Sequence, residues 1–243
     1  MAEENSGKKI LITGVSQGLG RALALELAKR GHTIIGCSRN QTKLDLLQPI
    51  FSNIPPYNHL LLNLDVKLDD KVKETLEIIV EKIGVPDIIV NNAAMINVKA
   101  KIWEISREEF DDVIDTNIKG TANILRHFIP LLLPKNKGII VNISSIFGRM
   151  GVPLVSPYCS SKWGIEGLSK SIAKELPNGM TIVALDPGII HTEMLLSSLG
   201  NNIASQYQTP QEWALKAAPM ILNLTNAENG ASLTVDDPGT LPD

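Results

Sequence analysis

Lys9-Ile10-Leu11-Ile12-Thr13-Gly14-Val15-Ser16-Gln17-Gly18-Leu19-Gly20 is the stretch that decides the fold. Residues 9–13 form a short apolar run of the kind found in strands buried on both faces. Gly14, Gly18 and Gly20 follow at once. Leu19, Leu23 and Leu27 then recur every four residues up to Gly31, which reads as a helix with a glycine stop. A strand, a glycine-rich turn and a helix in this order bring backbone N–H groups and the positive end of a helix dipole to one point, where a pyrophosphate can sit. The placement carries the reading, because the same glycines elsewhere would mean only a tight turn.

Working outward, short apolar runs alternate with helical periodicity along the whole chain. Residues 9–13, 33–38, 58–63, 88–91, 138–144, 181–185 and 231–235 read as strands. Between the third and fourth, Val72, Leu76, Ile79 and Ile83 mark a helix that starts near Asp69-Asp70 and stops at Gly84. The repetition predicts an α/β protein: one Rossmann-type doubly wound parallel sheet of about seven strands with helices on both faces. No repeat, linker or low-complexity run divides it, so residues 1–243 are expected to form a single domain, frayed at 1–7 and 237–243.

With 243 residues, 44% of them hydrophobic, and a formal charge of 23 − 26 = −3, the chain is not of a disordered class. The slightly acidic balance argues against nucleic acid as a partner. No apolar run approaches the roughly 18 residues that span a bilayer, so no membrane partner is expected. The N-terminal residues lack the features of a signal or transit peptide, which points to the cytoplasm. Cys37 and Cys159 are too far apart for a metal-ligand pattern, and His32, His59 and His127 show no ligand spacing, so no metal site is expected.

At the end of the second predicted strand stand Cys37-Ser38-Arg39. An acidic residue there would bind the ribose hydroxyls of NAD, whereas a guanidinium and a hydroxyl suit the extra 2′-phosphate of NADP(H). Further along, Tyr158 and Lys162 share one face of a helix, a turn apart. A phenol with a pKa near ~10 is a poor acid or base at neutrality, and a neighbouring ammonium favours its phenolate. Ser145 lies thirteen residues before Tyr158, at the end of an apolar strand, and Asn117 sits on the preceding long helix.

The T-G-x-x-x-G-x-G turn and the Asn117, Ser145, Tyr158, Lys162 set, in this order and spacing, resemble the short-chain dehydrogenase/reductase family. Resemblance covers residues 8 to 235. It implies a carbonyl reduction in which Ser145 and Tyr158 hold the substrate oxygen, Tyr158 supplies the proton, Lys162 holds ribose hydroxyls and lowers the tyrosine pKa, and Asn117 keeps a backbone site and a water in line. Ser144 is the rival for the role of Ser145, and the family spacing favours the second serine. The cofactor would rest on Gly14, Ser16, Gln17, Gly18, Leu19 and Gly20, on Ser38 and Arg39, on Asp65 and Val66, on Asn92 and Ala93, on Tyr158 and Lys162, and on Pro187, Gly188, Ile190 and Thr192. The sequence departs from the family in three places: Gln17 replaces a basic residue common in NADP-preferring members, Ala94 a glycine, and Asp186 an asparagine. Asp186 is expected to point into a local hydrogen-bond net.

A short segment after Thr192 is expected to cover a compact small-molecule carbonyl substrate, with Ile146, Phe147, Met150, Met194, Leu195, Tyr207 and Trp213 as candidates for its apolar walls. Several stretches, among them Gly18–Thr33, resemble a branch of the family, the plant-type NADPH-dependent reductases of pterin aldehydes. The expected function is therefore NADPH-dependent reduction of an aldehyde or ketone, with aromatic and pterin aldehydes in view. The alternatives are an NADP-dependent alcohol dehydrogenase and a non-catalytic NADP-binding regulatory protein. Family resemblance also implies a homodimer or homotetramer, with helices starting near Ile105 and Tyr158 at the interface and Trp163 within it. Glu108, Glu109, Asp111 and Asp112 read as a solvated helix face around core-facing Phe110 and Ile114.

Overall fold

β1 (Lys9–Thr13) lies between β2 (Thr33–Ser38) and β4 (Ile88–Asn91) in a seven-stranded, all-parallel sheet of order β3-β2-β1-β4-β5-β6-β7. The other strands are β3 (Leu60–Asn63), β5 (Gly138–Ile143), β6 (Met180–Asp186) and β7 (Ser232–Thr234). The structure is a computed structural model, and it describes residues 7–199 and 204–235, without the side chains of 197–199. The expected frayed ends fall outside the described residues, apart from Gly7, which precedes β1 in irregular chain.

Alternation along β1 divides the core into two layers. Ile10 and Ile12 face one cluster, with Leu23 and Leu27 of α1 (Gly18–Lys29) and Trp213, Ala217 and Ile221 of α8 (Pro210–Leu222). Leu11 faces the other, with Val72 and Ile79 of α3 (Asp69–Lys82) and Ile124, Leu125 and Phe128 of α5 (Gly120–Leu132). Two apolar faces require helices on both sides, and right-handed crossovers then place the strand ends in one row. Among the described residues the other α-helices are α2 (Gln41–Ser52), α4 (Arg107–Ile114), α6 (Ser156–Ile172) and α7 (Glu193–Leu199).

Some element limits differ from the sequence reading. β3 starts at Leu60 rather than 58, because Asn58 and His59 spend their side chains on β2: Thr33 Oγ1 donates to Asn58 Oδ1 at 2.8 Å and Ile34 N donates to His59 Nδ1 at 3.0 Å. On α4, Val113 is the residue that is fully buried, with Phe110 and Ile114 only half-buried. Asn117 does not sit in a regular helix. It lies in a π-helical turn, Asp115–Lys119, that joins α4 to α5, a type of bulge that periodicity does not reveal and that recurs at functional sites.

Candidate active site

The strand order reverses between β1 and β4, and the crevice outside their C-terminal ends is where an open α/β sheet binds ligands. A cavity of about 780 Å³ opens there. Its first wall is the glycine turn. Gly14 has φ +74° and Gly18 φ +54°, and a Cβ on Gly20 would lie 2.4 Å from both Asn92 Nδ2 and Gly14 O, so only glycine permits this packing. Asn92 locks the turn, donating from Nδ2 to Thr13 O at 2.8 Å and to Gly14 O at 3.2 Å, while Thr13 Oγ1 accepts from Asn92 N and Ala93 N, both at 3.0 Å. The Asn92 amide is thus committed to the scaffold, although Asn92, Ala93 and Ala94 all line the cavity.

Helix α1 begins at Gly18 with no side-chain cap on its amides and no acidic residue in its first turn. Ser16, Gln17, Gly18 and Leu19 line the cavity at this positive helix end, an arrangement that fits a pyrophosphate. On one side follow Ser38, Arg39, Asn40, Asp65 and Val66. Arg39 is exposed and supplies the positive charge that a 2′-phosphate needs, and the Ser38 hydroxyl accepts from Asn40 N at 3.3 Å. The donor set therefore fits NADP(H) from turn to adenosine end. Asp65 caps its own turn, its Oδ1 accepting from Lys67 N at 3.0 Å. Pro187, Gly188, Ile190 and Thr192 form the opposite wall, and Thr192 Oγ1 accepts from Leu195 N at 3.2 Å, capping α7.

On that floor the structure brings together Ser145, Tyr158 and Lys162, with Asn117 behind them. Ser144 and Ser145 part ways after β5: the buried Ser144 Oγ donates to Glu166 Oε1 at 2.7 Å, while Ser145 lies within hydrogen-bonding reach of the Tyr158 phenol and holds Phe147 N at 3.2 Å. The turn that follows packs so tightly on α6 that a Cβ at Gly148 would come within 2.8 Å of Lys162 O. Lys162 is buried, donates from Nζ to Ile143 O at 2.7 Å and stands 5.5 Å from the Tyr158 ring centroid. Asn117 accepts from Met95 N at 2.8 Å and donates to Met95 O at 2.9 Å and to Ser161 Oγ at 2.8 Å. It therefore fixes both the chain after β4 and the helix that carries Tyr158.

Electrostatics at this floor differ from the sequence expectation. Burial pushes the Tyr158 pKa up, the Ser145 hydroxyl opposes that rise, and the Asp186 charge adds to it. Burial also lowers Lys162 to about 8, against a smaller upward pull from Asp186. Burial is the largest of these effects, so Tyr158 keeps its proton at neutral pH. Asp186 does point into a local net: Oδ1 accepts from Gly188 N at 3.0 Å, and its own pKa is raised, chiefly by burial.

At the substrate end the walls are Ile146, Phe147, Met194 and Leu195, as expected, together with Ile96, Lys99, Val152, Pro153 and Leu154, which the sequence did not single out. Trp213 is a correction. It is fully buried in the core between α8 and the sheet, since helical periodicity alone cannot tell a core wall from a cleft wall. Tyr207 and Met150 are not among the described residues that line the cavity. Part of the covering segment, Gly200 onward to 203, lies outside the described residues. Among the described residues no group of three or more His, Cys, Asp or Glu could hold a metal, and no helix is long and apolar enough to cross a membrane.

Comparison with known proteins agrees with this geometry. The family description "short chain dehydrogenase" matches residues 8–201. The chain is 63% identical over 230 residues to the NADPH-dependent pterin aldehyde reductase of Arabidopsis thaliana, covering 95% of this chain and 94% of that protein. It is 34% identical over 202 residues to the 3-oxoacyl-(acyl-carrier-protein) reductase of Staphylococcus epidermidis, covering 82% and 81%. Among solved structures, ElxO with NADP bound superposes with a TM-score of 0.85 at 31% identity, covering 95% of this chain and 97% of that one.

Proposed function

The chain belongs to the short-chain dehydrogenase family, and from that membership we propose how its cleft works as an NADPH-dependent reductase of carbonyl compounds, with aromatic aldehydes of the pterin kind as substrates. The observation that carries the reading is a buried Tyr158 beside Ser145 and Lys162 at the floor of the cavity whose far end holds Arg39. NADPH, when bound, supplies a hydride to the carbonyl carbon. Ser145 and Tyr158 hold the carbonyl oxygen by two O–H donors, which stabilise the negative charge that develops there. Tyr158 then gives its proton to that oxygen. Burial keeps that proton on Tyr158 until the carbonyl oxygen gains charge and becomes the stronger base.

Lys162 is placed to hold ribose hydroxyls with the donors that its bond to Ile143 O leaves free, and its charge favours the phenolate that proton donation leaves behind. Asn117 positions α6 and the chain at Met95. Ile96, Phe147, Val152 and Leu154 offer flat apolar contact to an aromatic ring, which supports the substrate class together with the 63% identical relative. The same reading makes the protein a cytoplasmic homodimer or homotetramer. Trp163, 53% exposed on α6, and the apolar groove between α5 and α6 at Leu125, Ile129 and Leu168 support an interface there.

A panel of aldehydes, ketones and pterins, assayed with NADPH and with NADH, tests this proposal. The expected result is turnover of aromatic aldehydes with a strong preference for NADPH. Equal use of NADH, or no hydride transfer to any carbonyl, would refute it.

A further inference from the structure

A 2′-phosphate carries up to about two negative charges, more than one guanidinium neutralises. Residue 17, before the second glycine, is the uncharged Gln17. The fold brings a second cation there from another element. Lys43, in the first turn of α2, donates from Nζ to Gln17 Oε1, and the same Nζ lies 3.7 Å from Glu193 Oε2, the first residue of α7. The position of Lys43 is set by Asn40, whose Oδ1 accepts from Lys43 N at 2.9 Å, and Asn40 and Arg39 line the adenosine end of the cavity just before it. Lys43 therefore stands where the phosphate loop, the turn after β2 and the helix over the substrate end meet.

We propose that Lys43 is the second cation for the 2′-phosphate, presented by Gln17, and that Glu193 competes with that phosphate for it; the proposal rests on the NADPH reading above. The Lys43–Glu193 pair suits such an exchange. Its side chains are 37% and 67% exposed, and an exposed pair at this distance is weakly held. A phosphate dianion next to Arg39 is the stronger acceptor. Met194 and Leu195, which follow Glu193 directly, line the substrate end. NADP, unlike NAD, thus frees the start of α7 from α2 as it binds.

Calorimetric titration of NADP+ and NAD+ into wild type, Lys43→Met, Lys43→Arg, Glu193→Gln and the Lys43→Met/Glu193→Gln double variant tests the proposal by binding alone. Lys43→Met is expected to weaken NADP+ by about tenfold and leave NAD+ within about twofold, with Lys43→Arg restoring NADP+ affinity. Glu193→Gln is expected to tighten NADP+ by about two- to threefold, and only where Lys43 is present. Equal weakening of both dinucleotides by Lys43→Met, or no weakening, would overturn the cation role. Tightening by Glu193→Gln that persists without Lys43 would overturn the competition. A wild type that binds NAD+ as well as NADP+ would instead remove the cofactor reading itself.

Discussion

Ser144 and Ser145 are consecutive residues with opposite surroundings: one is buried against Glu166, and the other faces the Tyr158 phenol. The extended backbone at the end of β5 sends neighbouring side chains to opposite faces, which supports Ser145 over Ser144 for the proposed catalytic role. Glu166 explains what the first serine does. It is buried on α6 and also accepts from Arg149 Nε at 3.2 Å and from Ser232 Oγ, while Arg149 reaches Leu233 O at 2.8 Å. Ser144 thus belongs to a network that ties β5, α6 and β7 together beneath the site.

Ser145→Ala and Ser144→Ala should therefore separate. Ser145→Ala is expected to lower kcat/KM by roughly 100-fold, the cost of one donor to the developing oxyanion, with little change in Tm. Ser144→Ala leaves a buried carboxylate short of a donor and is expected to destabilise the fold by about 1–3 kcal/mol, with kcat largely kept. Thermal melts and steady-state kinetics on both variants check the assignment, and a reversed pattern would give Ser144 the chemistry.

Arg39→Ala should lower the affinity for NADPH by roughly ten- to a hundredfold, the scale of one hydrogen bond to a charged group, and leave NADH binding nearly unchanged. Fluorescence titration with the two cofactors measures this. Parallel losses for both would mean that Arg39 supports the fold rather than the phosphate.

Asp186 is a buried carboxylate whose folded pKa is raised, mainly by burial. A raised carboxylate pKa means that the folded state binds the proton more tightly than the unfolded state, so this group's contribution is most favourable below the unfolded pKa and is lost as pH rises through the folded one. Asp186→Asn keeps an oxygen that can accept from Gly188 N. It is expected to raise Tm relative to wild type near neutral pH, with the gap closing on acidification towards about pH 4. Melting curves across that range decide it; a variant less stable than wild type near pH 7 would show that the charge is needed.

Lys162, held at about 8 by burial, is predicted to lose its charge within the working range. A lowered lysine pKa means the folded state gives up the proton first, so this residue's contribution to stability improves as pH rises from about 8 to its unfolded value. Binding should move the other way, because the neutral amine offers a weaker donor to ribose hydroxyls. NADPH affinity is expected to decline above pH 8 in wild type and to be flat in Lys162→Met. A wild-type profile without that decline would contradict the assignment.

Much of this site was legible because its signals are local. The residue 9–20 stretch encodes strand, turn and helix in consecutive residues, and Tyr158 and Lys162 lie one helical turn apart, so spacing alone places them together. What sequence could not show depends on contacts between distant elements. The bond of Lys162 to Ile143 joins residues 19 positions apart. Lys43 beside Gln17 is separated by 26 positions, and Lys99 and Val152 reach the cleft from loops whose direction no periodicity encodes. Trp213 was expected at the substrate wall and lies in the core for the same reason: an aromatic on a helix face suits a core as well as a cleft, and only packing chooses.

The central claim is that Tyr158 is the proton donor in a cleft whose NADPH site is built mainly by other residues. Single-turnover hydride transfer from NADPH to an aromatic aldehyde, measured in Tyr158→Phe alongside calorimetric NADPH binding, tests it most directly. The predicted result is NADPH affinity within about twofold of wild type and a hydride-transfer rate lower by roughly 100- to 10,000-fold. Hydride transfer at the wild-type rate in that variant would contradict it.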